Sequence, residues 1–196
     1  MESENSLMPE VEKPRLVSPA DAISTLGLGL SLYGASEIDT TAGVLIFGAG
    51  RVLDLVDGHV ARKTYSSKYG ANIDGTFDKL AVAAGLVGAW YHDAAPQAVL
   101  AVIAVHNVVN AVTNVYTDRK GMPAKTSVAG KYYMFGQNLT FGAFTLGNAT
   151  GNSTLEAVGL GLLVASEPFA VKASLDYSRK AIEARQATKT HHRQKR

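Results

Sequence analysis

The residues in this sequence that are best suited to chemistry are four aspartates, which lie in two pairs. Asp54 and Asp57 are three positions apart, and Asp74 and Asp78 are four positions apart. On an α-helix either spacing places both carboxylates of a pair on one face, so two neighbouring helices could bring all four together. Converging carboxylates in apolar surroundings repel one another unless a cation neutralises them. An all-oxygen site without cysteine favours Mg²⁺ or Mn²⁺, which proteins often hold together with substrate phosphates.

Glycines lie beside both pairs. Gly58 directly follows Asp57, and Gly70 precedes Asp74. Because glycine has no side chain, the backbone at these positions can approach a bulky phosphorylated substrate closely. The complete spacing, D-x2-D-G-x2-A-R-x7-G-x3-D-x3-D, resembles the signature of the CDP-alcohol phosphotransferase (CDP-alcohol phosphatidyltransferase) family. Its fixed positions are all filled, by Asp54, Asp57, Gly58, Ala61, Arg62, Gly70, Asp74 and Asp78.

The resemblance implies a role for each of these positions. Asp54, Asp57 and Asp74 correspond to ligands of a two-metal centre for Mg²⁺ or Mn²⁺. Asp78 corresponds to a further ligand that also acts as the general base for the acceptor hydroxyl. Two cations that bridge a diphosphate would neutralise charge on the leaving CMP and orient an in-line attack. The implied CDP site includes Gly58, Ala61, Arg62 and Gly70.

Two residues of an earlier segment extend the expected nucleotide site. Asp21 and Ser24 loosely resemble an Asn-x-x-Thr pattern that lies near the nucleotide in the family, with Asp in place of Asn. They are therefore expected CDP-binding residues. The same segment is also consistent with a helix that Ser18 caps and Pro19 begins.

Basic residues are candidates for binding a phosphate group on the acceptor. Lys131 lies in a segment whose Gly130 and Gln137 resemble the G-K-x-K-T-x-x-Q pattern of phosphatidylglycerophosphate synthases, with Tyr and Met in place of the second Lys and the Thr. Arg119 and Lys125 follow an apolar segment and could bind the same phosphate. Anchoring at the membrane interface is the alternative for these side chains.

Six apolar segments must position these residues. They cover residues 19–35, 41–61, 73–92, 95–117, 127–147 and 153–173. Each is roughly long enough for a helix to cross the ~30 Å hydrocarbon core of a bilayer, which takes ~20 residues. The connections 34–42, 92–97 and 147–154 contain no Lys or Arg, whereas the opposite ends of the segments are basic. The positive-inside rule then predicts six transmembrane helices with both termini and all four aspartates on the cytoplasmic side.

The fourth segment has one polar face on an otherwise apolar helix. Its members are Asn107, Asn110, Asn114 and Thr117, with His106 beside them. Polar side chains in a membrane span are expected to face protein or a hydrated cavity. These residues therefore either contact neighbouring helices or line an acceptor pocket.

Composition sets the remaining limits. A chain of 196 residues that is 46% hydrophobic fits a compact membrane bundle or a soluble helical domain, and the charge alternation favours the bundle. A net charge of +2 without a basic stripe argues against a nucleic-acid partner, and the absence of cysteine excludes a disulfide framework. We therefore expect an all-α integral membrane protein with a cytoplasmic segment 1–17, a catalytic bundle 18–174 and a basic cytoplasmic tail 175–196.

These patterns, with the resemblance, predict a metal-dependent enzyme of a prokaryotic cell membrane. It would transfer a phosphatidyl group from CDP-diacylglycerol to a polyol phosphate and release CMP, with glycerol 3-phosphate as the first choice of acceptor and an inositol phosphate as the second. The resemblance also implies a homodimer. One alternative is transfer from a CDP-choline or CDP-ethanolamine type of donor to a lipid alcohol. The other is a membrane scaffold or divalent-cation transporter without catalysis, since carboxylates inside a bundle also serve ion passage.

Overall fold

The computed structural model describes residues 18–63, 70–120 and 127–194. Within its helices, the side chains at 58, 59, 61–63, 70–74, 184 and 186–194 are outside the description. The predicted N-terminal segment 1–17 and Lys125 also lie outside the described residues.

The described part of the chain folds into six α-helices. They are α1 Pro19–Ser36, α2 Thr41–Lys63, α3 Gly70–Tyr91, α4 Gln97–Arg119, α5 Val128–Thr150 and α6 Ser153–Gln194. The predicted all-helical class and the number of helices are confirmed, and most helix ends lie within three residues of the predicted ones. Helix α6 differs, because it continues without a break across the predicted boundary between residues 174 and 175.

Local sequence explains where two of the helices begin and end. The Ser18 side chain accepts a hydrogen bond from the Asp21 backbone N–H, and the Asp21 carboxylate accepts one from the Ser18 N–H, which together form a capping box in front of Pro19. The predicted Ser18 cap is thus confirmed. Helix α5 ends at Gly151, whose φ of 64° is the left-handed conformation that glycine adopts without strain.

Glycines allow α1 to lie unusually close to α2. A Cβ atom built on Gly27 would lie 3.0 Å from the Gly50 carbonyl oxygen, and one built on Gly50 would lie 2.7 Å from the Ser31 nitrogen. Such distances leave no room for a side chain, so the two backbones are in direct contact. Helix α1 also packs on α3, α5 packs along α6, and α4 contacts α6.

The apolar core lies toward the end of the molecule where the short connections meet. It includes Ile38, Ala89, Leu100 and Phe144, which are close in sequence to the connections after α1, α3 and α5. Polar contacts join these connections, because His92 lies 3.5 Å from Asp39 and Asn148 donates a hydrogen bond to the Asp93 carbonyl. The opposite ends of α2 and α3 are therefore left to form a site.

Two helices are long and apolar enough to cross a membrane, namely α4 and the Ser153–Glu183 part of α6. Few residues of their most apolar stretches are buried, and large apolar side chains such as Val108, Val112 and Val164 point outward. A soluble protein rarely exposes so much contiguous apolar surface, so a membrane setting is favoured. Membrane crossing by the other four helices and the orientation of the termini remain predictions.

Candidate functional site

Asp57 is one of the most deeply buried side chains of the site, with only 2% of its surface exposed. The close approach of α1 and α2 at Gly27 brings Ser24 beside it, and the Ser24 hydroxyl donates a hydrogen bond to Asp57 Oδ2. The structure thus brings together a predicted nucleotide-site residue and a predicted metal ligand.

The second carboxylate oxygen of Asp57 is the strongest indication of a bound ligand in this site. Asp57 Oδ1 is buried and has no hydrogen-bond partner among the described residues. A buried carboxylate oxygen without a partner is costly, and native proteins rarely leave one so. A hard divalent cation is the partner that an acidic, cysteine-free oxygen site fits best.

Arg51 links the two predicted aspartate pairs. Its Nη2 donates to Asp78 Oδ1 at 2.6 Å across the α2–α3 contact, and its Nη1 lies 3.6 Å from Asp54 Oδ2 on its own helix. Asp54 and Asp78 are therefore neighbours, as the sequence predicts. Sequence reasoning missed Arg51, although one signal was available: a basic residue inside an apolar segment is expected to pair with an acid.

The structure describes the backbone position of Asp74, the fourth predicted carboxylate, but not its side chain. Asp74 lies in α3 one turn before Asp78. Among the side chains that are described, no three of the His, Asp and Glu type are grouped closely enough to hold a metal ion. The guanidinium group of Arg51 is instead the cationic partner of Asp54 and Asp78.

A pocket extends from Arg51 into the space between α2, α3, α4 and α5. It has about 30 Å³ of room, which suits a small group and not a whole substrate molecule. Its walls are formed by Phe47, Arg51, Val82, Leu86, Ile103, Asn107, Met134, Gln137, Asn138 and Phe141. Two of the polar walls are fixed in place, because Asn107 and Gln137 both donate to the Ile103 carbonyl, at 2.9 and 3.2 Å.

A model of one protein family, described as CDP-alcohol phosphatidyltransferase, matches residues 14–166. The match covers most of the chain, including every element of this site. The chain belongs to the CDP-alcohol phosphatidyltransferase family. Comparisons with curated proteins and with solved structures found no match. Members of the family transfer a phosphatidyl group from a CDP-alcohol to an acceptor alcohol, so the chain is a transferase of substituted phosphate groups.

The remaining residues predicted from the CDP-alcohol phosphatidyltransferase signature lie at the same end of the bundle. Gly58, Ala61 and Arg62 are in the last two turns of α2, and Gly70 is the first residue of α3. Their surroundings are outside the description, so their nucleotide roles stay predictions. The Asp21 carboxylate lies in the capping box at the start of α1.

The two predicted acceptor-phosphate residues that the structure describes are separate from the pocket. Lys131 is exposed in the first turn of α5, and Arg119 is exposed in the last turn of α4. Neither lines the pocket, whereas Gln137 of the same sequence pattern does.

The polar face of α4 contacts other helices as well as its own backbone. His106 Nε2 lies 3.5 Å from Glu167 Oε2 of α6, and the His106 ring is 5.0 Å from the Tyr133 ring of α5. Asn110 and Asn114 each have a buried Oδ1 atom without a hydrogen-bond partner in the described part of the chain. His106 thus contacts neighbouring helices, whereas Asn107 lines the pocket beside Arg51; an acceptor-binding role for this pocket stays a prediction.

Proposed function

We propose that this CDP-alcohol phosphatidyltransferase transfers the phosphatidyl group of CDP-diacylglycerol to a hydroxyl group of a polyol phosphate and releases CMP. Glycerol 3-phosphate is the first choice of acceptor and an inositol phosphate the second. The observation that carries the proposal is the buried Oδ1 of Asp57, which has no partner among the described residues and lies one turn along α2 from Asp54, the carboxylate that Arg51 links to Asp78. These acidic oxygens are suitable ligands for the cations that a diphosphate needs.

The carboxylates of Asp54, Asp57, Asp74 and Asp78 would hold two Mg²⁺ or Mn²⁺ ions. Such ions, when bound, neutralise charge on the diphosphate and on the departing CMP. Ser24 keeps Asp57 in one orientation by its hydrogen bond and so fixes the direction of its free oxygen. The close approach of α1 to α2 at Gly27 leaves little room between the two backbones beside this hydrogen bond.

Asp78 is the proposed general base. It accepts the proton of the acceptor hydroxyl while that oxygen attacks the phosphorus of the phosphatidyl group. The bond between this phosphorus and the oxygen that bridges to CMP then breaks, and CMP leaves with the electron pair. Gly58, Ala61, Arg62 and Gly70 are proposed to bind the CDP moiety, together with Asp21 and Ser24.

The proposed setting is a prokaryotic cell membrane, with six spans and the site at the cytoplasmic face. The water-soluble part of the donor and the acceptor are available there, while the acyl chains of the donor stay in the bilayer. We include a homodimer in the proposal only because the family resemblance implies one.

A second candidate acceptor is a lipid alcohol with a soluble donor of the CDP-choline type. The observation that favours it is the apolar character of six of the pocket walls, among them Phe47, Ile103 and Phe141. A polyol phosphate would instead place its phosphate group beside the amide side chains of the pocket and Arg51.

The test is release of CMP by the purified protein in liposomes that contain CDP-diacylglycerol and Mn²⁺. Glycerol 3-phosphate, inositol 1-phosphate, inositol and serine are added one at a time, and CDP-choline with diacylglycerol forms a separate arm. We expect release with one phosphorylated polyol and a loss of at least about a hundredfold in Asp78→Asn, the size of a general-base contribution.

A matched control is Asp93→Asn at the far end of the bundle. Asp93 is exposed and has a φ of 51°, a conformation that asparagine also tolerates. This variant should release CMP at the wild-type rate. Release that persists in Asp78→Asn, or no release with any donor and acceptor, contradicts the proposed reaction.

A further inference from the structure

We propose that Arg51 exchanges partners during the reaction cycle. Without bound cations it neutralises Asp54 and Asp78. With cations in place it turns toward the adjoining pocket, where it binds only the phosphate group of the acceptor while the rest of that molecule stays outside. The inference rests on the proposed function, because it concerns the same carboxylates. It assigns the acceptor to the class of small phosphorylated alcohols.

The first step is the position of Arg51 between carboxylates of two helices. Its side chain is only 17% exposed, and an arginine is charged at any accessible pH, so it needs anionic partners here. The contacts at 2.6 Å to Asp78 and 3.6 Å to Asp54 provide them. In this arrangement Asp78 Oδ1 is occupied, and an occupied oxygen neither binds a metal ion nor accepts a proton readily.

The second step is that a bound cation and Arg51 would compete for the same carboxylates. A divalent cation bound by Asp54 and Asp78 would use the oxygens that Arg51 contacts and would also repel the guanidinium group. Arg51 must then leave both carboxylates. The long, flexible side chain is already part of the pocket wall, so the pocket is the nearest place to which its charge can turn.

The third step is the chemistry of that pocket. Among the described residues, Arg51 is the one cationic member of its walls, and the amides of Asn107, Gln137 and Asn138 supply further polar groups. A guanidinium group binds phosphate through two parallel hydrogen bonds, and the amide N–H groups can donate further hydrogen bonds to the same phosphate. Lys131 and Arg119 are exposed and outside the pocket, so they do not replace Arg51 there.

The first measurement is Mn²⁺ binding to the purified full chain, followed by electron paramagnetic resonance without substrates. We expect Arg51→Gln to bind Mn²⁺ about tenfold more tightly than the wild type, because the internal competitor is gone. The Mn²⁺ affinity of Arg51→Lys should lie between those of the wild type and Arg51→Gln. Lys79→Gln is the matched control: it removes one positive charge next to Asp78 in sequence, but its side chain is exposed, so its Mn²⁺ affinity should equal that of the wild type.

The second measurement is the acceptor dependence of CMP release at saturating Mn²⁺. Arg51→Gln should raise the KM for glycerol 3-phosphate by about tenfold or more, with a smaller change in kcat, and should reduce the preference for glycerol 3-phosphate over glycerol. Lys79→Gln should change neither. Size-exclusion profiles in detergent establish that each variant is folded. If Arg51→Gln does not fold, Arg51→Lys takes its place in both measurements.

Two results overturn the inference. One is unchanged or weaker Mn²⁺ binding in Arg51→Gln. The other is tighter Mn²⁺ binding with an unchanged preference for the phosphorylated acceptor, since Arg51 would then be a counter-ion only. The proposed function fails separately: a wild type that binds Mn²⁺ but releases no CMP with any acceptor contradicts the reaction, while the competition for metal is still decided by the first measurement.

Discussion

At the scale of single residues, the site depends on how Asp57 is held. One of its oxygens accepts a hydrogen bond from Ser24, and the other is buried without a partner in the described part of the chain. Replacing Ser24 by Ala removes the donor, and a hydrogen bond to a charged group contributes about 1.5–3 kcal/mol. We therefore expect Ser24→Ala to reduce CMP release by about tenfold or more at limiting Mn²⁺.

The matched control for this substitution is the next residue. Thr25 is exposed, and its hydroxyl donates to the Asp21 carbonyl of its own helix at 2.7 Å. Thr25→Ala should change stability and CMP release little, within about 0.5 kcal/mol. Equal effects of the two substitutions in thermal unfolding and CMP release would mean that Ser24 acts through helix α1 in general and not through Asp57.

The sequence predicts some partners of this site and not others. Helix periodicity alone places Asp54 and Asp57 on one face of α2. The family resemblance predicts Ser24 near the nucleotide, but its hydrogen bond to Asp57 is visible only in the structure. The contact of Arg51 with Asp78 depends on how α2 and α3 pack, which no local pattern specifies. The sequence also predicts Lys131 and Arg119 as acceptor ligands; both side chains are exposed, and their role stays a prediction.

At the scale of elements, the α1–α2 contact is what places Ser24 against Asp57. A Cβ atom on Gly50 would lie 2.7 Å from the Ser31 nitrogen, so Gly50→Ala must separate the two helices. Overpacking of this kind costs about 1–3 kcal/mol. We expect a lower thermal unfolding temperature in detergent, together with reduced CMP release, because Ser24 would move away from Asp57.

Gly48 provides the control on the same helix. A Cβ atom there would meet nothing within 4 Å. Gly48→Ala should therefore leave activity unchanged and stabilise the protein by up to about 1 kcal/mol through helix propensity. If Gly48→Ala destabilised the protein as much as Gly50→Ala, the close helix contact would not be the cause. The conformational freedom that glycine gives to the α2 backbone would then explain both losses.

The ends of the helices were predictable where local signals exist. Ser18 and Pro19 mark the start of α1, and Gly151 marks the end of α5. The length of α6 was underestimated, because the apolar pattern stops near residue 173 while the helix continues to Gln194. Its last part is rich in Ala, Lys, Arg, Glu and Gln, which are strong helix formers without being apolar.

At the scale of the whole molecule, packing and chemistry lie at opposite ends. The core around Ile38, Leu100 and Phe144 fixes the helices where their short connections meet, and the carboxylates lie toward the other ends of α2 and α3. The charge pattern agrees with this division, since the connections beside this core contain no Lys or Arg. It implies that the two ends of the bundle face different environments, with the acidic site on the side that has the basic residues.

The proposed topology is testable on α6, because the chain contains no cysteine of its own. Ser153→Cys and Ser178→Cys place a thiol at exposed positions 25 residues apart on this one helix, a distance of about 37 Å that exceeds the ~30 Å hydrocarbon core. With both termini cytoplasmic, a membrane-impermeant maleimide added to intact cells should label Ser153→Cys and leave Ser178→Cys unlabelled. After detergent permeabilisation both should react, which establishes that each thiol is accessible. Labelling of both thiols from one side would mean that α6 does not cross the bilayer, and labelling of Ser178→Cys alone would reverse the orientation and place the aspartates outside.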